Sequence, residues 1–502
     1  VGGLAGENTD GSIATSYNTG NVSGTENVGG LVGYISSGSI ISSCNSGSVR
    51  GTSCVGGLVG WNGCSECGNS YGYIGESYST GSICGQDYVG GAVGCNDQGS
   101  IVRSYSAGSV SGTTNVGGLV GYHHEDYARI HSSVWDIQTS DQSGDSGAVG
   151  LTTPEMMDPH MFAMNGFAND PNWVLDAGQD YPRLAWEGTV GQTIPEPQVD
   201  WLEGQGTAEA PYRIDTADQL ILLGKASILW DEHFVLGADI DLNPALPGRS
   251  ILGQAVIPVF TGVFDGGGHV ISNLTIHGGS HLGLFGRLGS ETEVRNVGIV
   301  GVNITGWGRW IGALVGRNGG LWLDPQGATV TDCYSSGSVS GTYSVGGLAG
   351  SNHGSIAASY SSSSIRGTTG VGGLVGSNGY GYGNIASSYS SGLITGDYSV
   401  GGLVGDNLGS IAACYSSGSV SGGADVGGLV GEDSWGEGTV SQCFWDIQTS
   451  GQSISAGGTG LTTSEMQTAR AFLNAGWDFV GETANGTEDI WWIFDGRDYP
   501  RL

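Results

Sequence analysis

The sequence predicts an all-β fold, a parallel β-solenoid or β-helix with about three short strands in each coil. The main observation is the hexapeptide VGGLVG at residues 55–60, which returns throughout the chain. Near-identical copies begin at Val1, Val28, Val89, Val116, Val345, Val371, Val400 and Val426, with a looser copy at Ile311. Successive starts lie 27, 27, 34 and 27 residues apart in the first half, and 34, 26, 29 and 26 from Ile311 onward. A repeat of 26–34 residues with insertions confined to the gaps is typical of a solenoid.

The residues between the copies have the period of a strand. Apolar and small side chains alternate from Ile13 to Tyr17, and similar runs surround Ile40 and Ile101. These runs are too short and too rich in glycine for helices. We therefore expect short strands joined at glycine corners, with equivalent residues stacked in columns about 4.8 Å apart. The Tyr17 column also contains Cys44, Val134 and Phe444, which favours an inward aromatic stack.

The closing segment of the repeat is written twice, which indicates two tandem modules with short helical caps. VWDIQTS at 134–140 returns as FWDIQTS at 444–450, and DYPRL occurs at 180–184 and 498–502. Thr152 and Glu155 have capping-box spacing, so a short helix should follow. The predicted organisation is a first module at 1–187 with a C-terminal cap at 134–187, a linker at 188–200, and a second module at 201–502 with caps at 201–260 and 444–502. Because Val1 falls inside a repeat, we expect the chain to be part of a longer polypeptide, its first module cut short at the amino end.

The charge balance excludes several classes of partner. The chain has 47 acidic residues against 15 lysines and arginines, a formal charge of −32, and Lys225 is its single lysine. A nucleic-acid backbone or an anionic membrane would repel such a chain. No run of 18 apolar residues occurs, so we expect no membrane insertion.

Asparagine recurs two residues after the hexapeptide. Stacked asparagines can hydrogen-bond amide to amide along a solenoid axis, so we interpret the column as a structural ladder; a row of ligands is the alternative. The members of this column are Asn8, Asn62, Asn96, Asn318, Asn352, Asn378 and Asn407.

The cysteines suggest two groupings. Cys414 and Cys443 hold the position before the aromatic residue in consecutive coils, so we expect them to touch, with a bond depending on compartment and side-chain direction. Cys64 and Cys67 form a Cys-x-x-Cys near Cys95. A zinc cluster, a local disulfide and free thiols are all open there, and the second Cys-x-x-Cys of a zinc ribbon is missing.

Few residues suggest catalysis or metal binding, so the sequence predicts a protein that is not an enzyme and needs no cofactor. Asp239, Asp241 and Asp265 lie near His269 and are weak candidates for a catalytic pair or a calcium site, with turn hydrogen bonding as the alternative. Residues 123–126 with His131 are a histidine-rich group that fits either a metal site or an exposed loop. No basic cluster of the kind a uronate lyase needs is present.

Three tryptophans in or beside insertions are candidates for glycan contact, because indole faces can stack on sugar rings. They are Trp307, Trp310 and Trp435. Shielding of the coil edge is the alternative for Trp307 and Trp310.

The repeat text resembles the GLUG repeat. The match rests on the VGGLVG core with its GSVSG turns, and on ADIDL at 238–242 with FDGGGH at 264–269, which look like the segment that commonly precedes such repeats. Proteins with these repeats are typically large, secreted or surface-attached bacterial proteins, and include non-catalytic portions of IgA-specific metallopeptidases. The resemblance implies a β-solenoid in an extracellular setting and carries over no catalytic residue. The metallopeptidase zinc motif is missing, since Ala128 stands where a histidine would be required after His124 and Glu125.

We therefore expect an extracellular or cell-surface structural or adhesive protein that forms a stiff rod, stalk or filament segment. Head-to-tail self-association and continuation in a longer chain are the two candidate assemblies. The alternatives are a carbohydrate-binding module and a polysaccharide-degrading β-helix enzyme.

Overall fold

The computed structural model describes residues 1–63, 71–124, 127–142, 144, 147–319, 327–379, 382–434, 436–481 and 483–502. Parallel sheets stack into a β-solenoid of about 15 turns, with 9% of the residues helical, so the predicted fold class is confirmed. The residues fall into two compact units, Val1–Trp201 with Ile221–Trp230, and Leu202–Leu220 with Asp231–Leu502. We call these unit 1 and unit 2 and describe each by itself.

A regular coil of unit 1 has five short strands, one in each of five parallel sheets. We label the sheets A to E in the order in which the coil passes through them, starting with the strand that leads into the hexapeptide. The strands are, in sheet A, Glu26–Gly29, Ser53–Gly56, Asp87–Gly90 and Thr114–Gly117; in sheet B, Ala5–Asn8, Val32–Ile35, Val59–Asn62, Val93–Asn96 and Val120–His123; in sheet C, Ser12–Ala14, Ser39–Ile41, Tyr73–Gly75, Ser100–Val102 and Arg129–His131; in sheet D, Tyr17–Asn18, Cys44–Asn45, Tyr78–Ser79, Tyr105–Ser106, Val134–Asp136 and Val149–Leu151; and in sheet E, Val22–Ser23, Val49–Arg50, Ile83–Cys84 and Val110–Ser111.

Unit 2 repeats this arrangement, and we keep the same labels for its equivalent sheets. Sheets D and E are joined there, because Gly298–Gly306 and Tyr334–Ser340 run through both. The strands are, in sheet A, Arg309–Ile311, Tyr343–Gly346, Thr369–Gly372, Tyr398–Gly401 and Ala424–Gly427; in sheet B, Ile257–Phe260, Phe285–Leu288, Val315–Asn318, Ala349–Asn352, Val375–Asn378, Val404–Asn407 and Val430–Glu432; in sheet C, Tyr212–Ile214, His233–Leu236, Val263–Asp265, Glu293–Arg295, Thr329–Thr331, Ser355–Ala357, Asn384–Ala386, Ser410–Ala412 and Thr439–Ser441; and in the joined sheet, Ile240–Asp241, Val270–Ser272, Thr275–Gly278, Gly298–Gly306, Tyr334–Ser340, Tyr360–Ser361, Ser364–Arg366, Tyr389–Ser390, Leu393–Thr395, Tyr415–Ser416, Ser419–Ser421, Phe444–Asp446 and Thr459–Leu461.

The hexapeptide forms a corner, and this is one reason why a coil has five strands where the sequence predicts about three. Its first two residues end a strand of sheet A, and its last two begin a strand of sheet B. A Cβ atom on Gly29 would lie 2.0 Å from the carbonyl oxygen of Val32, so no other residue fits there. The corner thus divides what the sequence presents as one apolar run.

Each coil also turns at residues with left-handed backbone that are not glycine. In two columns of unit 1 their φ values lie between +43° and +56°. This region is unfavourable for residues that carry a Cβ, and the corners impose it on successive coils. One column precedes sheet D and contains Thr15, Ser42, Glu76, Arg103 and Ser132; the other precedes the hexapeptide and contains Asn27, Cys54, Tyr88 and Asn115.

The apolar core lies inside the coils. Val and Leu of the hexapeptide pack against Ile of sheet C, while Val and Ile of sheet E pack against Val of sheet A. Trp135, fully buried, closes the last regular coil of unit 1 from inside. Because each apolar residue stacks on its equivalent in the next coil, the core continues along each unit.

The helices are short and belong to the caps. They are α1 (Ile137–Ser140), α2 (Thr153–Met156), α3 (Pro159–Phe162), α4 (Ala217–Leu223), α5 (Ile447–Ser450), α6 (Thr463–Met466) and α7 (Ala469–Leu473), with a π-helix at Ala163–Phe167 and 3-10 turns at Ala185–Glu187 and Ser227–Leu229. Three strands of unit 1 pair antiparallel: Trp173–Leu175 and Arg183–Leu184 from the first cap, and Gln192–Thr193 from the predicted linker. The capping box at Thr152 and Glu155 is formed at the start of α2.

Residues 221–230 group with unit 1, although the sequence places them in the opening cap of the second module. The Lys225 ammonium donates to Glu155 Oε1 at 2.6 Å, and the Lys225 carbonyl oxygen accepts from Asn165 Nδ2 at 2.9 Å. The module boundaries themselves stay a prediction.

Candidate functional site

The tyrosines of sheet D line the outer flank of each unit, whereas the sequence favours an inward stack. Side chains alternate along a strand, and Ser79 and Ser106 point inward, against Gly57 and Gly91. The preceding tyrosines, Tyr78 and Tyr105, therefore point outward, and their rings stack 4.9 Å apart. Both are nevertheless buried, because the cap segment lies over them.

In unit 1, residues 181–187 run along this flank. Tyr105 donates to the Pro182 carbonyl oxygen at 2.5 Å, and Tyr78 donates to Glu187 at 2.8 Å. Arg183 Nη1 donates to the Tyr78 hydroxyl at 3.0 Å. Further along, the Trp186 indole donates to the Ser42 carbonyl oxygen at 2.9 Å. The cap thus seals the side of the solenoid as well as its last coil.

Unit 2 has the same construction with a longer stack. The ring centroids of Tyr334, Tyr360, Tyr389 and Tyr415 follow one another at 5.1, 4.8 and 4.9 Å. Tyr415 donates to the Pro500 carbonyl oxygen at 2.6 Å, as Tyr105 does to Pro182. Phe472, Trp477 and Trp491 cover this end of the column.

Each cap is tied to the last coil by a buried aspartate. Asp136 caps α1 by accepting from the amides of Gln138 and Thr139, and its other oxygen accepts from the Tyr181 hydroxyl at 2.7 Å. Asp446 and Tyr499 repeat this contact at 2.7 Å. Burial, followed by the hydrogen bond to the carboxylate, raises the pKa of Tyr181 to about 12. The same causes raise the pKa of Tyr499 to about 12.

The asparagine column forms chains of amide hydrogen bonds. Asn62 donates to Asn96 at 2.9 Å in unit 1. In unit 2, Asn318 donates to Asn352 at 2.7 Å, Asn352 to Asn378 at 2.9 Å, and Asn378 to Asn407 at 2.8 Å. These side chains are buried and use their amides on each other and on nearby carbonyl groups, which fits the structural interpretation better than a row of ligands.

Cys414 and Cys443 lie next to each other as free buried thiols. They occupy a column that holds serine in most other regular coils and a third cysteine, Cys333, in one. In that column the hydroxyl donates to a carbonyl two residues earlier and accepts the amide of its equivalent in the preceding coil, as Ser388 does for Ser359 at 3.2 Å. Cys443 acts likewise, since its Sγ donates to the Ser441 carbonyl oxygen and accepts from the Cys414 amide at 3.3 Å. Both thiols thus take over the hydrogen-bonding role of serine.

Cys95 is paired in a disulfide with Cys54, with a Cα–Cα distance of 5.3 Å. The sequence groups Cys95 with Cys64 and Cys67, which lie outside the described residues. Cys54 is one of the left-handed corner residues and Cys95 follows it by one coil, so the bond clamps consecutive coils. The repeat pattern does not reveal this pair, because Cys54 and Cys95 are 41 residues apart and occupy different positions of the repeat.

The three candidate aspartates each have partners of their own. Asp239 accepts from His269 Nδ1 at 3.1 Å and from the Val270 amide at 3.0 Å. Asp241 accepts from Asn273 at 2.8 Å, and Asp265 accepts from Arg295 Nε at 2.8 Å.

The pKa values of these carboxyl groups follow from their partners. Burial favours the neutral form of Asp265, but hydrogen bonds from the Gly267 amide and Arg295 outweigh it and lower its pKa. The Val270 amide, then His269, lowers the pKa of Asp239, and Asn273 does the same for Asp241. None of the three therefore has the raised pKa of a general acid.

No metal centre is formed by the described residues: nowhere among them do three His, Cys, Asp or Glu side chains converge. Asp241 and Asp265 lie on different sheets, the joined sheet and sheet C. Of the histidine-rich group, Glu125 and Asp126 lie outside the described residues, and burial followed by the charge of Arg129 lowers the pKa of His131.

The candidate glycan-contacting tryptophans differ in exposure. Trp307, in the turn between sheets E and A, is 66% exposed. Trp310 is half-buried, with the Arg317 guanidinium 5.3 Å from its ring centre and the His281 ring against it at 4.7 Å. Trp435 lies outside the described residues. Trp307 is thus the described candidate with a free aromatic surface, and sequence reasoning missed two other exposed rings near it, Tyr343 and Tyr398.

No family model matches the sequence. A stretch of 158 residues is 33% identical to part of Halomucin from Haloquadratum walsbyi, covering 29% of this chain and 2% of that protein. A stretch of 130 residues is 35% identical to a protein of Evansella cellulosilytica that carries the description Gly-rich membrane protein, covering 24% of this chain and 14% of that protein. Among solved structures, a Bacteroides ovatus protein assigned as an immunoglobulin A1 protease aligns over 60% of this chain and 94% of its own, with 23% identity and a TM-score of 0.44. The chain is therefore similar to small parts of two much longer proteins, neither of which has a name that denotes an enzyme.

Proposed function

We propose that this chain is a structural segment of a surface or extracellular protein of the GLUG-repeat type, acting as a stiff rod or stalk without catalysis. The observation that carries the proposal is the unbroken in-register stacking of sheet A and sheet B within each unit, with equivalent residues paired coil after coil. Stability in such a stack is a sum over coils and their interfaces, which suits a spacer. The names of the two relatives support a surface setting.

The localisation is tested on intact cells of the source organism. Antibodies raised against the purified chain should label unpermeabilised cells or detect the protein in the medium. Protease added to intact cells should remove the surface signal. Labelling only after permeabilisation would overturn the proposal. None of the helices among the described residues has the length and apolar character of a membrane span.

For the assembly, the candidates are head-to-tail association of copies and continuation in a longer chain. The chain has a mass of 51.1 kDa. After harsh denaturation of native material, a species far above that mass would establish the longer chain and exclude simple subunit assembly. A band at the mass of the chain, together with larger particles before denaturation, would establish the filament.

Carbohydrate binding is a second candidate, favoured by the exposed indole of Trp307. The test is a glycan array on which wild-type signal falls when Trp307 is replaced by alanine. A polysaccharide-degrading enzyme is tested by substitution: any such activity should be lost in Asp239→Asn or Asp265→Asn. Activity that is unchanged in both variants would exclude these carboxylates as catalytic residues. The ion pairs and hydrogen bonds of both carboxylates favour a structural role instead.

A further inference from the structure

Three exposed aromatic rings follow one corner of unit 2, where the chain passes from sheet E to sheet A. Trp307, Tyr343 and Tyr398 are 66%, 45% and 55% exposed. Such rings are normally buried or spaced apart at random, and their alignment on a solenoid is therefore informative. We call these three residues the aromatic row.

The register of sheet A fixes the spacing of the row. Arg309 pairs with Tyr343, Tyr343 with Thr369, and Thr369 with Tyr398. Tyr343 and Tyr398 are thus two coils apart, which is about 9.6 Å at the usual strand spacing. Trp307 sits in the turn of the preceding coil, where its carbonyl oxygen accepts from the Thr342 hydroxyl at 3.0 Å.

The surroundings of the row are polar and nearly balanced in charge. Arg309 and Arg366 are exposed on this corner, as are Asp397 and Asp425. The Arg309 guanidinium lies 5.5 Å from the Tyr343 ring centre. Two charges of each sign favour a neutral ligand over a polyanion, and the net charge of −32 disfavours a polyanion further.

Unit 1 provides an internal comparison. The equivalent positions of its sheet A are Glu26, Ser53, Asp87 and Thr114, which also pair coil by coil. The same corner therefore folds in unit 1 without an aromatic residue, so folding of the corner does not require the rings of unit 2.

We propose that the aromatic row is a binding track for an extended, neutral, β-1,4-linked polysaccharide that runs parallel to the solenoid axis of unit 2. Exposed aromatic rings can stack on pyranose rings. The two-coil spacing of Tyr343 and Tyr398, with Thr369 between them, suits alternate residues of such a polymer, and Trp307 adds a ring one coil from Tyr343. The proposal deepens the carbohydrate-binding candidate by naming the ligand class and adding Tyr343 and Tyr398 to Trp307.

The experiment measures retention of the full chain on insoluble cellulose and chitin, with granular starch as the α-linked comparison. Wild type should be retained by at least one β-1,4-linked polymer and not by starch. The double variant Tyr343→Ala/Tyr398→Ala should bind at least about tenfold more weakly. Tyr382→Ala is the matched control, since Tyr382 is 56% exposed but lies in the turn between sheets B and C.

If wild type is retained by neither cellulose nor chitin, the aromatic row is not a track for β-1,4-linked polysaccharides. If a glycan array also shows no signal, the carbohydrate-binding function is excluded as well. If wild type binds and the double variant binds as tightly as Tyr382→Ala, the aromatic row is not the binding site, while the carbohydrate-binding function stands. A change in particle mass by light scattering between wild type and the double variant, without glycan binding, would instead assign the row to contacts between copies.

Discussion

At the scale of single residues, the position directly before sheet D holds a serine or a cysteine in the regular coils, as at Ser359, Ser388 and Cys443. Its side chain accepts an amide of the preceding coil and donates to a carbonyl within its own coil. Both groups are buried, so an unmet hydrogen bond there is expensive. This explains why serine and cysteine share a column. The cysteines serve there as hydrogen-bonding groups, and their role does not require a reactive thiol. Burial raises the pKa of the Cys333 thiol to about 12, which keeps it protonated and unreactive.

Ser388→Ala should therefore destabilise unit 2 by about 1–3 kcal/mol, because the Ser359 amide and the Ala386 carbonyl lose their partner. Ser388→Cys should be milder, since Cys443 already performs this role. Urea denaturation of each variant measures the free energy of unfolding. Ser391→Ala is the control at an exposed position, expected within about 0.5 kcal/mol of wild type. Equal losses for the two alanine variants would refute the role of the column.

The left-handed corners make a second prediction at this scale. Ala358 has φ +45°, whereas its neighbour Ala357 ends a strand of sheet C. Glycine at 358 relieves a conformation that costs about 1–2 kcal/mol for a residue with a Cβ, and this offsets its greater backbone entropy. Ala358→Gly should be neutral or stabilising by up to about 1 kcal/mol, while Ala357→Gly should destabilise by about 0.5–1 kcal/mol. Thermal unfolding gives both signs, and loss of stability at 358 equal to that at 357 would contradict the argument.

At the scale of elements, the sequence could specify the repeat, the asparagine column and the two caps, because each depends on spacing that is written several times. It could not specify the outward direction of the tyrosines. Period-two alternation fixes that Tyr78 and Ser79 face opposite ways, but not which of them faces the core. Glycines at 57 and 91 decide it, since they leave room inside for Ser79 and Ser106 only. The division of the coil into five strands also depends on a backbone corner that hydrophobic spacing does not reveal.

The docking of the caps on the tyrosine flank should be sensitive to alkali. Burial and the hydrogen bond to Asp446 raise the pKa of Tyr499 to about 12, against about 10 in an unfolded chain. A raised pKa in the folded state means that stability is complete below about pH 10 and is lost as the pH rises toward 12. The thermal midpoint should therefore fall over this interval, together with the rise in tyrosinate absorbance.

Tyr499→Phe separates this effect from general alkaline unfolding. The variant loses the hydrogen bond to Asp446, so unit 2 should be less stable at neutral pH, and the decline above about pH 10 should be shallower. Tyr382→Phe, at an exposed turn, should leave the pH profile unchanged. A profile for Tyr499→Phe that runs parallel to wild type would show that the cap contact does not govern the alkaline transition.

At the scale of the whole molecule, the two units share one arrangement of sheets but are stabilised by different contacts between coils. Unit 1 has the disulfide between Cys54 and Cys95, whereas the three cysteines of unit 2, Cys333, Cys414 and Cys443, are free thiols. Unit 2 depends instead on its asparagine chain and its longer tyrosine stack. A solenoid gains stability coil by coil, so a covalent clamp between consecutive coils acts on its own unit first.

Removal of the clamp should weaken unit 1 selectively. The bond closes a chain separation of 41 residues, for which the loop-entropy relation gives about 4 kcal/mol. Cys54→Ser/Cys95→Ser should therefore increase amide hydrogen exchange across peptides of residues 1–124 while peptides of residues 327–434 keep their protection. Adding a reductant to wild type should reproduce this pattern, and adding it to the double variant should change nothing. Cys84→Ser, which removes a free thiol from the same unit, is the control expected to match wild type. Equal loosening of both units would show that the coils of unit 1 do not rely on the bond.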